Sequence, residues 1–273
     1  MLPEDELIEL ISRVAGRGDG VLSGIGDDAA VLEGGLVVCC DMLVDGVHFD
    51  LRRSTAHAVG ARAAAANLSD LAAMAARPLC LLAALGLPPG FDQAPQLSQG
   101  LASHGVPLAG GDLSRAPALT VSVTAVGHAR RPVLRSGGRP GDLLAVTGRL
   151  GAQAVAGYTA EVTPRLAEGQ LLAGIAHAMI DLSDGIASDA GRLARASGCG
   201  ARVLLERLPR APGASIEQAA AGGEDYELLV ALPRSQPVSD WLTEVGELTA
   251  GPAVLLLDAD GSPRDLAGSD HFR

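Results

Sequence analysis

Arg135-Ser136-Gly137-Gly138-Arg139-Pro140-Gly141-Asp142 divides the chain. Glycine and proline crowd this stretch, and such composition interrupts helices and strands on either side of it. We place a domain boundary here, with residues 1–136 forming one domain and 137–273 the other. Upstream, Leu7, Ile8, Leu10, Ile11 and Val14 recur at helical spacing and predict an amphipathic helix over residues 4–15. Leu36 to Cys40 reads as a short buried strand that delivers Asp41 at its end. Thr55 to Ala76 is alanine-rich and predicts a helix capped by Ser54 or Thr55, with Asn67 and Asp70 on one face. Leu79 to Leu87 and Leu119 to His128 read as strands, the second alternating Thr120, Ser122, Thr124 against Val121, Val123, Ala125.

Downstream, Leu143 to Thr147 opens a strand and Glu168 to Ile180 predicts a helix. A turn at Asp181, a helix near Ile186 to Ala196, and strands at Ala201 to Leu205, Tyr226 to Leu232 and Ala253 to Asp258 complete a mixed α/β half. The fold class is therefore α/β (α+β), in two domains. Leu-Ser-Asp occurs in both halves, at 68–70 and 182–184, a match too short to establish duplication.

Hydrophobic residues make up 48% of the 273 positions but aromatics only 2%, so the core must be aliphatic. All 21 basic residues are arginine, and without lysine neither a P-loop, a protein-kinase site nor Schiff-base chemistry is possible. A net charge of −11 disfavours nucleic acid and membrane surfaces as partners, and a polyanionic ligand would need metal ions to enter such a field. Cys39, Cys40, Cys80 and Cys199 form no C-x-x-C pair. The acidic start lacks a signal-peptide n-region, and Leu79 to Leu87 is too short to span a bilayer. A cytoplasmic protein is expected.

Carboxylates recur in small-residue turns: Gly26-Asp27-Asp28-Ala29, Gly110-Gly111-Asp112, Asp181-Leu182-Ser183-Asp184-Gly185 and Gly222-Gly223-Glu224-Asp225. Gathered together they would repel, and Mg²⁺, which takes oxygen ligands and shares its shell with phosphates, removes that repulsion. This predicts a metal-dependent phosphate enzyme. Each piece also has a plainer reading. Asp27-Asp28 can be a solvated loop or a cap, and Gly110-Gly111 a hairpin turn rather than a phosphate cradle. Asp70 can cap a helix broken at Asn67. His48 suits a core histidine bonded to backbone, and Asp45 a supporting role. Arg135 is either a phosphate clamp or an interdomain salt bridge. Ser183 can bond a phosphate oxygen at a helix start. Glu224-Asp225 can receive a cationic substrate or cap a strand. The remaining arginines read as solvated surface.

In order along the chain, GIGDDAAV, DMLVDGVHF, NLSDLAAMAARP, GGD, RSGGRPGD, DLSDG, GGEDYEL and the terminal Asp270-His271-Phe272 resemble the thiamine-monophosphate kinase family. The resemblance spans nearly the whole chain. It implies the aminoimidazole-ribonucleotide-synthetase-like fold, with N-terminal domains pairing into a barrel across a homodimer. It also implies transfer of the γ-phosphoryl of ATP to thiamine monophosphate, assisted by several Mg²⁺ ions. Carried over by motif, Asp28, Asp41, Asp70, Asp112, Asp181 and Asp184 become Mg²⁺ ligands, with Asp184 and Asp112 catalytic. Gly111, Asp112, Arg135 and Ser183 become nucleotide contacts, while His48, Glu224 and Ser269 fall at substrate positions.

The chain departs from the family pattern at three places. Cys39-Cys40 stands where small hydroxyl residues are usual, and a thiol is a poor Mg²⁺ ligand. Leu266 and Ser269 replace aromatics expected to cover the substrate rings. The segments from Gly157 to Gln170 and from Pro209 to Ala219 are short. The alternatives are another ATP-dependent member of the superfamily, such as a selenophosphate synthetase or a cyclo-ligase, and a degenerate regulator that binds nucleotide without turnover.

Overall fold

A computed structural model describes residues 4–15 and 18–268. The first half runs α1 (Glu4–Ala15), β1 (Val21–Ser23), β2 (Ala30–Leu32), β3 (Leu36–Val44), α2 (Ala56–Ala73), β4 (Arg77–Leu87), α3 (Ala94–Leu101), β5 (Leu108–Arg115) and β6 (Thr120–His128). Its strands form a six-stranded sheet in the order β1-β2-β3-β6-β4-β5. The second half runs β7 (Leu143–Thr147), α4 (Ala152–Ala156), α5 (Leu166–Leu172), β8 (Ala178–Asp181), α6 (Ile186–Ala196), β9 (Gly200–Leu204), α7 (Ile216–Ala221), β10 (Leu228–Leu232), β11 (Leu242–Thr249) and β12 (Val254–Leu257). These strands make a second six-stranded sheet, β12-β9-β11-β7-β10-β8. The Gly/Pro-rich stretch lies between the two sheets.

Alanine builds α2 because it loses no side-chain entropy in a helix, and Thr55 caps it, its hydroxyl accepting from the Ala58 amide at 3.1 Å. The small residues also let backbones approach. A Cβ at Gly60 would collide with the backbone of Leu97 and Leu101, and one at Gly100 with that of His57 and Ala61. Helices α2 and α3 therefore lock together at the glycines and cover one face of the first sheet. On that face Val37, Leu43, Leu81, Val121 and Val123 pack against Leu68 and Leu71 in an aliphatic core. The opposite face is bare: Met42 and Leu82 stay exposed there. Helix α1 forms as expected, with Ile8, Leu10, Ile11 and Val14 exposed.

Four expectations are corrected. Strand β3 runs on to Val44, so Asp41 sits inside it rather than at its end. The expected helix Glu168 to Ile180 stops at Leu172, and residues 178–181 pair with β10 as strand β8. Gly110-Gly111-Asp112 is not a turn but part of β5, an edge strand parallel to β4. Asn67 does not break α2. It satisfies itself there, Nδ2 donating to the Ala63 carbonyl and Oδ1 accepting from the Asp41 amide.

Candidate active site at the junction of the two halves

Three elements converge on one acidic centre. Asp28 follows the first glycine turn, Asp70 lies in the last turns of α2, and Asp181 ends β8; their ligand oxygens lie within 4.8 Å of one another. Asp41 joins them from β3, its carboxyl beside that of Asp70. Ser69 Oγ donates to Asp181 Oδ2 at 2.8 Å, tying α2 to the second sheet. The Arg135 guanidinium donates to Asp28 Oδ1 at 2.8 Å, whereas Asp28 Oδ2 is buried without a hydrogen-bond partner. Burial pushes the Asp70 carboxyl well up, and the neighbouring Asp41, Asp181 and Asp28 push it further. Asp181 is raised by burial and then by Asp28, against the Ser69 hydrogen bond.

An orphaned carboxylate oxygen inside an all-oxygen cluster of like charge fits a hard divalent cation. The cysteines stay out of it. Cys39 Sγ donates to the Asn67 carbonyl at 3.2 Å, and burial keeps it a thiol. Cys40 lies beside Ser122 Oγ, 3.5 Å away, in the row facing away from the helices.

Asp112 and Gly111 are not part of this cluster. Strand register aligns Met42, Ser122, Ala84 and Asp112 in one row, and paired residues share a face. Asp112 therefore faces the bare side of the sheet, whereas its neighbour row, containing Asp41, faces the helices. Gly111 is required where it stands: its φ is +156° and a Cβ would enter the Ala83 backbone.

A second group of residues lines an adjoining cleft of about 790 Å³, among them His48, Tyr158, Ser183, Asp184 and Glu224. The amide of Val44 donates to His48 Nδ1 at 3.1 Å, which leaves the neutral ring's proton on Nε2. Both readings of His48 meet here, a backbone bond and a place on the cleft wall. The Asp181–Gly185 turn and the 222–227 loop are laced by backbone, Glu224 N donating to Ser183 O at 2.7 Å and Tyr226 N to Leu182 O at 3.0 Å. Ser269 and Asp270-His271-Phe272 lie outside the described residues.

Asp189, Arg192 and the buried roles of Arg62 and Arg165 escaped the sequence reading. Asp184 is ion-paired with Arg192, which also donates to Asp189 Oδ1 at 2.9 Å, while Asp189 Oδ2 accepts from the Asp184 amide at 3.1 Å. Burial, then Asp184, raises the Asp189 carboxyl to about 7 against the pull of Arg192. Asp27 accepts from the Arg135 amide at 3.1 Å, and burial with the adjacent Asp28 raises it to about 6. Nor are the other arginines all solvated surface. Arg62 is 8% exposed, and Arg165 holds the buried Glu227. The three-residue spacing of Asp189 and Arg192 on a helix was the one local signal available.

This two-sheet architecture with an acidic junction is that of the AIR synthase related proteins. Residues 26–129 match the AIR synthase related N-terminal domain and residues 152–252 the corresponding C-terminal domain. The thiamine-monophosphate kinase of Salmonella typhimurium is 36% identical, over 92% of this chain and 92% of that protein. That of Halobacterium salinarum is also 36% identical, over 90% of this chain and 95% of the relative. Among solved structures, AaThiL complexed with AMPPCP and TMP superposes with a TM-score of 0.89 at 30% identity, covering 99% of this chain and 97% of that one. The chain belongs to the thiamine-monophosphate kinase family.

Proposed function

We propose that this protein transfers the γ-phosphoryl group of ATP to thiamine monophosphate, giving thiamine diphosphate and ADP. The observation that carries this reading is the meeting of Asp28, Asp70 and Asp181, with Asp41 beside them, next to a cleft lined by His48 and Glu224. Bound Mg²⁺ would neutralise the charge between two anionic reactants. The acceptor phosphate is already ionised near neutral pH, so alignment and charge neutralisation suffice for direct in-line transfer.

In this reading Asp28, Asp41, Asp70 and Asp181 hold metal at the junction, with Asp184 and Asp112 as further ligands and catalytic positions. Gly111, Asp112, Arg135 and Ser183 receive the nucleotide. Arg135 pairs with Asp28 inside the first domain rather than across the domains, yet its buried Nε has no partner and can serve an anion as well. His48 and Glu224 receive the thiamine end, a cationic ring that suits a carboxylate, with Ser269 near it.

A homodimer belongs to the same proposal. The bare sheet face with Met42 and Leu82 is what a second copy would cover in a barrel, and Gly111 and Asp112 would then lie at the seam. The division into domains at 136/137 is retained with it. Four free cysteines accord with a reducing cytoplasm where ATP is made. Among the described residues, no helix is long and apolar enough to cross a membrane.

The test incubates the protein with Mg²⁺, ATP and thiamine monophosphate and looks for thiamine diphosphate. Asp184→Asn is expected to keep the fold and lose most turnover. Undiminished Mg²⁺-dependent turnover in that variant would count against the assignment. Nucleotide binding with no product from the unaltered protein would favour a regulator.

A further inference from the structure

Among the described residues, four non-glycine residues have positive φ: Ala75, Tyr158 (62°), Glu224 (56°) and Tyr226 (52°). The last three surround one guanidinium. Arg62 reaches out of α2 in the first half, NH1 donating to the Tyr158 carbonyl at 2.8 Å and NH2 paired with Glu224 Oε2. The buried Tyr226 phenol lies beside the same guanidinium. All three partners belong to the second half, on two separate loops. Tyr158 closes the ring, its hydroxyl donating to the Gly222 carbonyl at 2.9 Å.

Left-handed backbone in non-glycine residues persists only where surroundings over-determine it, and it gathers at functional sites. Here Arg62 joins the two loops, while backbone bonds from Glu224 to Ser183 and from Tyr226 to Leu182 hold the second of them as well. Glu224 and Tyr158 are also walls of the large cleft, on the side that His48 and Ser183 share. We propose that Arg62 is a positioning residue for the acceptor substrate, holding the Glu224 carboxylate and the Tyr158 wall in place from behind. The proposal rests on the function given above and adds to it the residue that shapes the thiamine end. Arg62 acts through Glu224 and Tyr158 rather than on the reacting atoms. Its fork matters, because a guanidinium can reach a carbonyl and a carboxylate together while an ammonium is a point charge on a flexible stem.

The experiment compares steady-state kinetics of the unaltered protein, Arg62→Gln, Glu224→Gln and the double variant, with thermal unfolding as a folding control. Calorimetric titration of thiamine monophosphate without ATP supplies a second readout. Arg62→Gln is expected to raise KM for thiamine monophosphate about ten- to a hundredfold, the effect of losing charged hydrogen bonds. KM for ATP and kcat should stay within about twofold, and the double variant should be no worse than Glu224→Gln alone by the same margin. Parallel weakening of both substrates, or effects that multiply in the double variant, would overturn the proposal and leave Arg62 a rivet between the halves. Should Arg62→Gln not fold, Arg62→Lys carries the test: a rise confined to thiamine monophosphate supports the proposal and an unchanged value sinks it. Absence of turnover in the unaltered protein would instead remove the function itself.

Discussion

Replacing Asp70 by asparagine should make the metal-free protein more stable. Two carboxylates within 4.8 Å of one another repel by at least roughly 3–4 kcal/mol at an effective dielectric of about 20. Asp70 meets both Asp28 and Asp181 at that range, so full ionisation would cost about 7 kcal/mol. Keeping a proton is the cheaper route. Against an unfolded carboxyl near 3.9, that costs at most about 5 kcal/mol at pH 7.5 and nothing near pH 4. Asparagine is neutral at both, and its amide can donate to the two remaining carboxylates. The expected gain is therefore roughly 2–5 kcal/mol at pH 7.5, vanishing by pH 4. Each kcal/mol corresponds to about 2–4 °C of melting temperature for a chain of this size.

Mg²⁺ should narrow or close the gap between the two proteins. A ligand at about a hundred times its Kd stabilises the native state by about 2.7 kcal/mol, and Asp70→Asn should lose most of that together with turnover. The assay is thermal unfolding of both proteins in chelator and in saturating Mg²⁺, at pH 7.5 and pH 4.5. Two results would refute the reasoning: a variant less stable than its parent in chelator at pH 7.5, or equal stabilisation of both by Mg²⁺.

The metal-free protein should also lose stability as pH rises from about 4 to about 7. Asp189, raised to about 7, keeps its proton in the native state where the unfolded chain has already released it, so the native state binds more protons across that window. That one buried group accounts for about 4 kcal/mol, and Asp27, raised to about 6, acts in the same direction. Urea unfolding in chelator at several pH values measures the slope, and Asp189→Asn should flatten it; an unchanged slope contradicts the assignment. Gly60→Ala should destabilise by about 1–3 kcal/mol although alanine is the better helix former, because its Cβ meets the α3 backbone. A neutral or stabilising result in chemical unfolding would show that α3 can shift away freely.

Local pattern made much of the fold legible. The alternation at 120–128, the apolar spacing of 4–15 and the Thr55 cap each depend on neighbours in sequence, and each element formed. The errors came where a distant partner decides. Leu171, Leu172 and Ile175 continue a helical spacing, but pairing of Ala178–Asp181 with β10 draws the chain into a strand. Gly110 and Gly111 carry every mark of a turn, yet β4, far upstream, recruits them into a parallel ladder. Asp41 looked like a strand end because acids are rarely buried within strands. Its backbone amide finds Asn67 there, and burial pushes its carboxyl up, with Asp70 offsetting part of that. Arg62 carried no local signal at all, since its partners lie on loops more than ninety residues away.

The common element behind these long-range facts is α2. Asn67 fixes Asp41, Ser69 fixes Asp181, Asp70 enters the acidic centre and Arg62 holds Glu224. From Arg62 to Asp70 the helix rises about 12 Å, at 1.5 Å per residue. One rigid rod thus sets the separation between the metal cluster and the cleft wall proposed for thiamine. Two loosely joined domains could not keep that spacing on their own, because interfaces between domains permit relative motion by default. Here the backbone of α5 also presses on α2, where a Cβ at Gly169 would collide with Ala72. A change that shifts α2 along its axis should therefore disturb metal binding and acceptor binding together. A change at Arg62 should disturb the acceptor alone, and that difference separates alignment by the helix from recognition by its side chain.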